Sequence, residues 1–224
     1  MKKLKLKSVI FDMDGVITHT MPYHLKAWQQ IFAEEKMAVP KMEIYRREGQ
    51  KGIDSVIELA LSQGHHITPT TAQKLLDQKE KLFKRIVQIR YITGSRLFIK
   101  RLKAAKFKLA LVTGTSSHEL RKILPVELLA YFDVVVSGCD VQNGKPHPEP
   151  YLKALQLLKV KDHEAIVIEN APFGIQSAKQ AGLKCFALET SLPYNYLKQA
   201  DRVFRSIRDL TSQIQFIPYA SFSN

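Results

Sequence analysis

The chain has 224 residues, 45% hydrophobic and 25% charged, with two cysteines and a formal net charge of +13. These figures suit one globular domain or a core carrying a modest insertion, and they exclude wholesale disorder and a disulfide-built scaffold. The basic residues are scattered, with no aromatic-interleaved patch, so the charge reads as solvated helix faces that steer anions, and no nucleic-acid partner is expected.

In chain order, the opening Met-Lys-Lys-Leu-Lys-Leu-Lys imitates the basic region of a signal peptide. The apolar run behind it is only Val9, Ile10 and Phe11, too short for export, and no later stretch is long enough to span a bilayer. A cytoplasmic location away from membranes is the expectation. Residues 7–11 (KSVIF) are apolar and β-branched and run into Asp12-Met13-Asp14-Gly15, which predicts a buried strand ending in a turn.

Residues 20 to 90 read differently. Leu25, Trp28 and Phe32 share a helical spacing, as do Leu75, Leu82, Ile86 and Ile89. Pro69 with Thr70 and Thr71 marks a helix start, and Asp54 or Ser55 suits a cap for another. This pattern predicts a small all-helical cap domain over residues 20–91, inserted after the first strand into a core of residues 1–19 and 92–224. Linkers near residues 19–21 and 91–95 would then permit hinge motion.

Short apolar runs resume at residues 108–112, 133–136, 165–168 and 184–188, with helical patterns at 151–158 and 174–181. Strands alternating with helices predict an α/β, Rossmann-like core with a parallel sheet. Cys139 and Cys185 read as small buried apolar residues.

Functional groups of such a sheet gather at the carboxyl ends of its strands. Those ends supply Asp12 and Asp14, then Thr113, then Lys145 in the loop Asn143-Gly144-Lys145-Pro146-His147-Pro148, then Glu169 and Asn170. Taken singly, Asp14 suits a turn, Thr113 a helix N-cap and Lys145 a solvated loop. As an ordered set, Asp-x-Asp-Gly, Thr, Lys-Pro and Glu-Asn resemble the four motifs of the haloacid dehalogenase-like hydrolases, over nearly the whole chain.

The resemblance implies a Mg²⁺-dependent phosphatase acting on a small-molecule phosphate ester. Asp12 would be the nucleophile that forms an aspartyl-phosphate, splitting one hard hydrolysis into two easier steps. Asp14 would protonate the departing alcohol and then activate water. Thr113, with main-chain N–H groups of Gly114 and Thr115, would hold the phosphoryl group, and Lys145 would offset its charge. The implied metal ligands are the Asp12 side chain, the Asp14 main-chain carbonyl and the residue after the fourth strand. That position is an aspartate in the family's commonest form and Asn170 here, a neutral ligand, with Glu169 beside it as a direct or water-bridged contributor.

Asp14-Gly15-Val16-Ile17-Thr18, Tyr23-His24 and Ala27-Trp28 are similar to the β-phosphoglucomutase branch, which would put His24 near Asp14 at the hinge; a plain helix residue is the other reading. The cap segment Arg47-Glu48-Gly49-Gln50-Lys51-Gly52-Ile53 lacks that branch's serine-arginine grip on a second phosphate, and Ser116 stands where the branch carries a lysine. A monomeric phosphatase for a sugar phosphate or a phosphoglycolate-like ester is therefore favoured over a sugar-phosphate mutase. A weakly active phosphate-binding protein, motivated by Asn170, comes third. Lys51 is a candidate substrate contact from the cap.

Overall fold

In a computed structural model, residues 1–219 are described. Strand β1 (Lys2–Leu6) leads into β2 (Ser8–Phe11), whose four residues are all buried. Helices α1 (Met21–Glu34), α2 (Lys41–Arg46), α3 (Gly52–Ser62) and α4 (Pro69–Ile86) follow without an intervening strand. The alternating pattern then resumes with α5 (Ser95–Ala104), β3 (Lys108–Val112), α6 (Ser117–Ile123), α7 (Val126–Leu129) and β4 (Val134–Val136). It continues through α8 (Glu149–Leu158), β5 (Ala165–Glu169), α9 (Pro172–Gln180) and β6 (Lys184–Leu188). The last elements are α10 (Tyr194–Leu197), β7 (Arg202–Phe204), α11 (Ile207–Gln213) and β8 (Ile214–Pro218).

Six strands form one sheet in the order β4-β3-β2-β5-β6-β7, and every pairing is parallel. The chain winds outward from β2 in both directions, so the carboxyl end of β2, carrying Asp12, lies at the point where the strand order reverses. Such a switch point leaves a crevice that helices do not fill. Pleating sends Val9 and Phe11 to one apolar cluster and Ile10 to another, so both faces of β2 are buried.

The basic amino-terminal segment is itself a strand. β1 pairs in parallel with β8, from Lys2 opposite Ile214 to Leu6 opposite Pro218. Lysines alternate there with Leu4 and Leu6, and Leu6 is buried, a period-2 signal that the likeness to a signal peptide obscured.

In the helical stretch, α1 packs on α2 and α4, and α3 packs on α4. Trp28, Ile31, Phe32, Leu59, Leu75, Leu82 and Phe83 share one apolar cluster that runs on into Phe11, Leu109 and Leu111 of the sheet. The helix start near Pro69 is observed, with Thr68 capping by accepting from the Thr71 N–H at 3.2 Å. Asp54 and Ser55 lie inside the first turn of α3, which Lys51 precedes, so neither caps it. Ile89 falls beyond α4.

The two connections between helices and sheet run side by side. Thr18 and Tyr91 form an antiparallel bridge, His19 N–H donates to Arg90 O at 2.8 Å, and Ile92 N–H donates to Ile17 O at 2.9 Å. Among the described residues no helix is long and apolar enough to cross a membrane. Cys185 is buried as expected, but Cys139 is exposed, because its turn after β4 leaves the sheet.

Candidate active site

At the switch point an ammonium joins two carboxylates from separate strands. Lys145 Nζ donates to Asp12 Oδ1 at 2.6 Å, to Glu169 Oε1 at 2.8 Å and to the Val112 carbonyl at 3.2 Å, which uses its three hydrogens. All three side chains are buried, and Lys145 follows a loop closed by a cis Lys145–Pro146 bond. Burial opposes the Lys145 charge, yet Asp12 and Glu169 more than offset it and raise its pKa.

Glu169 is fully engaged. Its Oε1 also accepts from Tyr151 OH at 2.8 Å, and its Oε2 accepts from the N–H groups of Asn170 at 2.8 Å and Ala171 at 3.3 Å. Gly174 lies so close that a Cβ there would fall 1.8 Å from Oε1. The geometry thus makes Glu169 a holder of Lys145 and leaves it no free oxygen for the ligand role that the sequence allowed.

Asp14 sits under the first connection. Its Oδ1 accepts a short hydrogen bond from Thr20 Oγ1 and a long one from Thr18 Oγ1 at 3.5 Å. His24 Nε2 stands 3.5 Å from the same oxygen, within ion-pair reach but without hydrogen-bond geometry. Lys79 Nζ, from α4, is 3.0 Å from His24 Nδ1. The lysine can only donate, so the His24 ring proton is assigned to Nε2, facing Asp14. Burial pushes the Asp14 carboxyl up, but His24, Thr20 and Lys79 outweigh it and hold it below its ordinary value. Burial and the Lys79 charge lower His24, and burial brings Lys79 down to about 8.

The loop between α2 and α3 closes the site. Gly49, at φ +80°, passes so near that a Cβ would lie 2.9 Å from Lys145 Cδ and 3.4 Å from Asp12 Oδ1. A Cβ on Gly114 would fall 2.4 Å from the Gly49 carbonyl. Only glycine allows these approaches. Beside them lies a cavity of about 90 Å³, lined by Asp14, His24, Trp28, Glu48, Gln50 and Lys79 among others.

Among the described residues no three His, Cys, Asp or Glu side chains converge as a metal cage. The donor set is mixed. Asp12 Oδ2 and Asn170 Oδ1 are buried acceptors with no hydrogen-bond partner, and Asn170 Nδ2 is turned away, donating to Glu48 Oε2 and Ser191 Oγ at 2.9 Å each. Two unpaired hard oxygens at a buried anionic site fit Mg²⁺, which favours oxygen ligands and retains several waters.

The remaining candidates divide. Thr113 Oγ1 accepts from Thr115 N–H at 3.1 Å, and Gly114 and Thr115 line the cavity. Lys51 does not reach it: its Nζ donates to the carbonyls of Val141 at 3.2 Å and Gln142 at 3.1 Å. Ser116 caps α6 by accepting from Glu119 N–H at 3.3 Å. Sequence reasoning passed over Thr20, Glu48, Lys79 and Tyr151, for which no periodicity or local motif signals a site.

Burial pushes the Asp12 carboxyl from an ordinary 3.8 up to about 8, with Lys145 opposing and Glu169 and Asp14 reinforcing. Its contribution to stability is therefore full below 3.8 and is lost as pH rises towards 8. His24, lowered, gives the opposite slope below 6.5, and Lys79 does so only near 8 and above. In chelator-treated protein the melting temperature should fall as pH rises from 6.5 towards 8, and Mg²⁺ should reverse the fall. Thermal scans with EDTA and with Mg²⁺ check this; a flat or rising profile in EDTA contradicts it.

A doubly wound parallel sheet, a carboxylate–lysine cluster at its switch point and helices inserted after the first core strand define a phosphate-handling class of α/β enzyme. The chain belongs to the haloacid dehalogenase-like hydrolases, whose family model matches residues 9–188. It is 31% identical over 186 residues to the phosphorylated carbohydrates phosphatase of Thermotoga maritima, covering 80% of this chain and 83% of that one. It is 29% identical over 216 residues to β-phosphoglucomutase of Bacillus subtilis, covering 93% of each. The crystal structure of CbbY from Rhodobacter sphaeroides in complex with phosphate superposes with a TM-score of 0.76 at 25% identity, covering 92% of this chain and 96% of that one.

Proposed function

We propose that this protein is a phosphatase of small, uncharged polyol or sugar monophosphates, working through an aspartyl-phosphate on Asp12. The observation that carries the reading is the Asp12 carboxylate: Lys145 holds Oδ1, while Oδ2 is buried and unpartnered. A carboxylate oxygen of Asp12 attacks phosphorus, the P–O bond to the alcohol breaks, and the alcohol takes a proton from Asp14. Asp14, an anion favoured by Thr20 and His24, gains that proton from His24 Nε2 as Lys79 Nζ, brought down to about 8, passes one to His24 Nδ1. The relay runs back when Asp14 removes a proton from the attacking water. Thr113, Gly114 and Thr115 bind the phosphoryl oxygens, and Lys145 offsets the gathering negative charge. Asp12, Asn170 and the Asp14 main-chain carbonyl would hold Mg²⁺, which would supply positive charge to offset the anionic groups of the reaction.

Residues 20–91 act as a cap in this reading. A pocket for a ligand commonly offers roughly 300 Å³ or more. At about 90 Å³ the cavity admits a sugar only when the helices move, and the paired connections are the hinge. Lys51, bound to core carbonyls, is then a latch for closure.

The cavity also limits the leaving group. Among the described residues Lys79 is the only Lys or Arg in its lining, and it faces His24, whereas Glu48, Glu80 and Glu119 line the same space. A second phosphate, or the carboxylate of phosphoglycolate, would meet like charge there. Phosphate release from a panel of sugar and polyol monophosphates, phosphoglycolate and bisphosphates tests the reading. The monophosphates of uncharged alcohols should turn over fastest with no bisphosphate activator. Conversion of β-glucose 1-phosphate to glucose 6-phosphate without net phosphate release would establish the mutase reading instead.

A further inference from the structure

We propose that Glu48, carried by the helical insertion, is a ligand of the active-site divalent cation and replaces the negative charge that Asn170 does not bring. The inference rests on the Mg²⁺ site in the reading above and adds a residue from the other side of the cleft. Glu48 lies in the loop between α2 and α3 and is buried. Its Oε2 accepts from Asn170 Nδ2 at 2.9 Å, while its Oε1 is buried with no partner.

Three unpaired oxygens therefore come from three separate segments: Asp12 Oδ2 after β2, Asn170 Oδ1 after β5 and Glu48 Oε1 from the insertion. Glu48 and Ser191 both accept from Asn170 Nδ2, which fixes the amide orientation and leaves Oδ1 free. The backbone beneath makes room for this: a Cβ on Gly15 would lie 2.8 Å from Glu48 Oε1 and 2.1 Å from Asn170 Nδ2.

A water carries two hydrogens and satisfies at most two of these acceptors, whereas a hard dication can take all three. The charges agree. Asp12, Asp14, Glu48 and Glu169 are buried together, with Lys145 and Lys79 the buried ammoniums beside them, so a divalent cation balances the ionised set. Because Glu48 rides on the insertion, the cation binds the closed arrangement more tightly than an open one and so favours closure.

Glu48→Gln separates charge from shape, since a glutamine oxygen can still accept from Asn170. The probe is Mn²⁺, titrated into EDTA-stripped full-length protein and followed by the electron paramagnetic resonance of the free ion. Glu48→Gln should weaken Mn²⁺ by about tenfold or more, Asn170→Asp should tighten it, and the double variant should return towards native. Hydrogen exchange across residues 47–52 should slow on adding Mn²⁺ in the native protein but not in Glu48→Gln. Circular dichroism verifies folding. If Glu48→Gln does not fold, Glu48→Asp, shorter by one methylene, must bind more weakly than native. Native-like Mn²⁺ affinity in Glu48→Gln overturns the proposal while leaving the phosphatase reading intact. Absence of Mn²⁺ binding by the native protein overturns both this proposal and the Mg²⁺ site it rests on.

Discussion

Asp12→Asn should reduce phosphate release by about 10³-fold or more while leaving the fold unchanged. The change is nearly isosteric, and the amide oxygen can still accept from Lys145. What is lost is the anionic oxygen that we propose bonds to phosphorus, and the neighbouring carboxylates are held elsewhere. Glu169 is fixed by Lys145, Tyr151 and two backbone N–H groups, and Asp14 is fixed by Thr20. Single-turnover assays on neutral sugar monophosphates, with mass spectrometry to exclude deamidation, check the result. Retention of more than a few per cent of activity removes Asp12 from the nucleophile's role.

Lys145→Met should cost both activity and stability, the latter by about 3–5 kcal/mol, because removing one partner of a buried ion pair leaves the other uncompensated. Two carboxylates, Asp12 and Glu169, depend on this one ammonium, and all three side chains are at most 2% exposed. The deficit should grow as pH rises through about 8, where Asp12 of the native protein gives up its proton, and shrink below it, where that proton removes part of the unpaired charge. Urea unfolding on either side of pH 8 measures both the size and the trend. A stability change below about 1 kcal/mol, the range of an exposed pair, would show that water reaches the cluster and that its burial is not maintained in solution.

The sequence by itself determined the α/β class and which candidate groups gather at one edge of the sheet. Short β-branched runs alternating with helical periods imply a parallel sheet, and a parallel sheet presents the residues after its strands on one edge. Asp12, Asp14, Thr113, Lys145, Glu169 and Asn170 were therefore legible as neighbours before any coordinates. Strand β1 was readable in principle from its Lys/Leu alternation, but its partner β8 lies at the far end of the chain. The roles of individual polar side chains were decided only by tertiary structure. Glu48 meets Asn170 across 122 positions of sequence, and Lys51 meets Gln142 across 91, because both contacts depend on how the insertion docks on the core. Periodicity encodes which face of an element is apolar; it carries no information about which polar atom lies opposite another once two elements close. Glu169 shows the same limit: adjacent to a candidate metal ligand in sequence, it is turned by Lys145, Tyr151 and its neighbours' N–H groups into a buried support for the lysine.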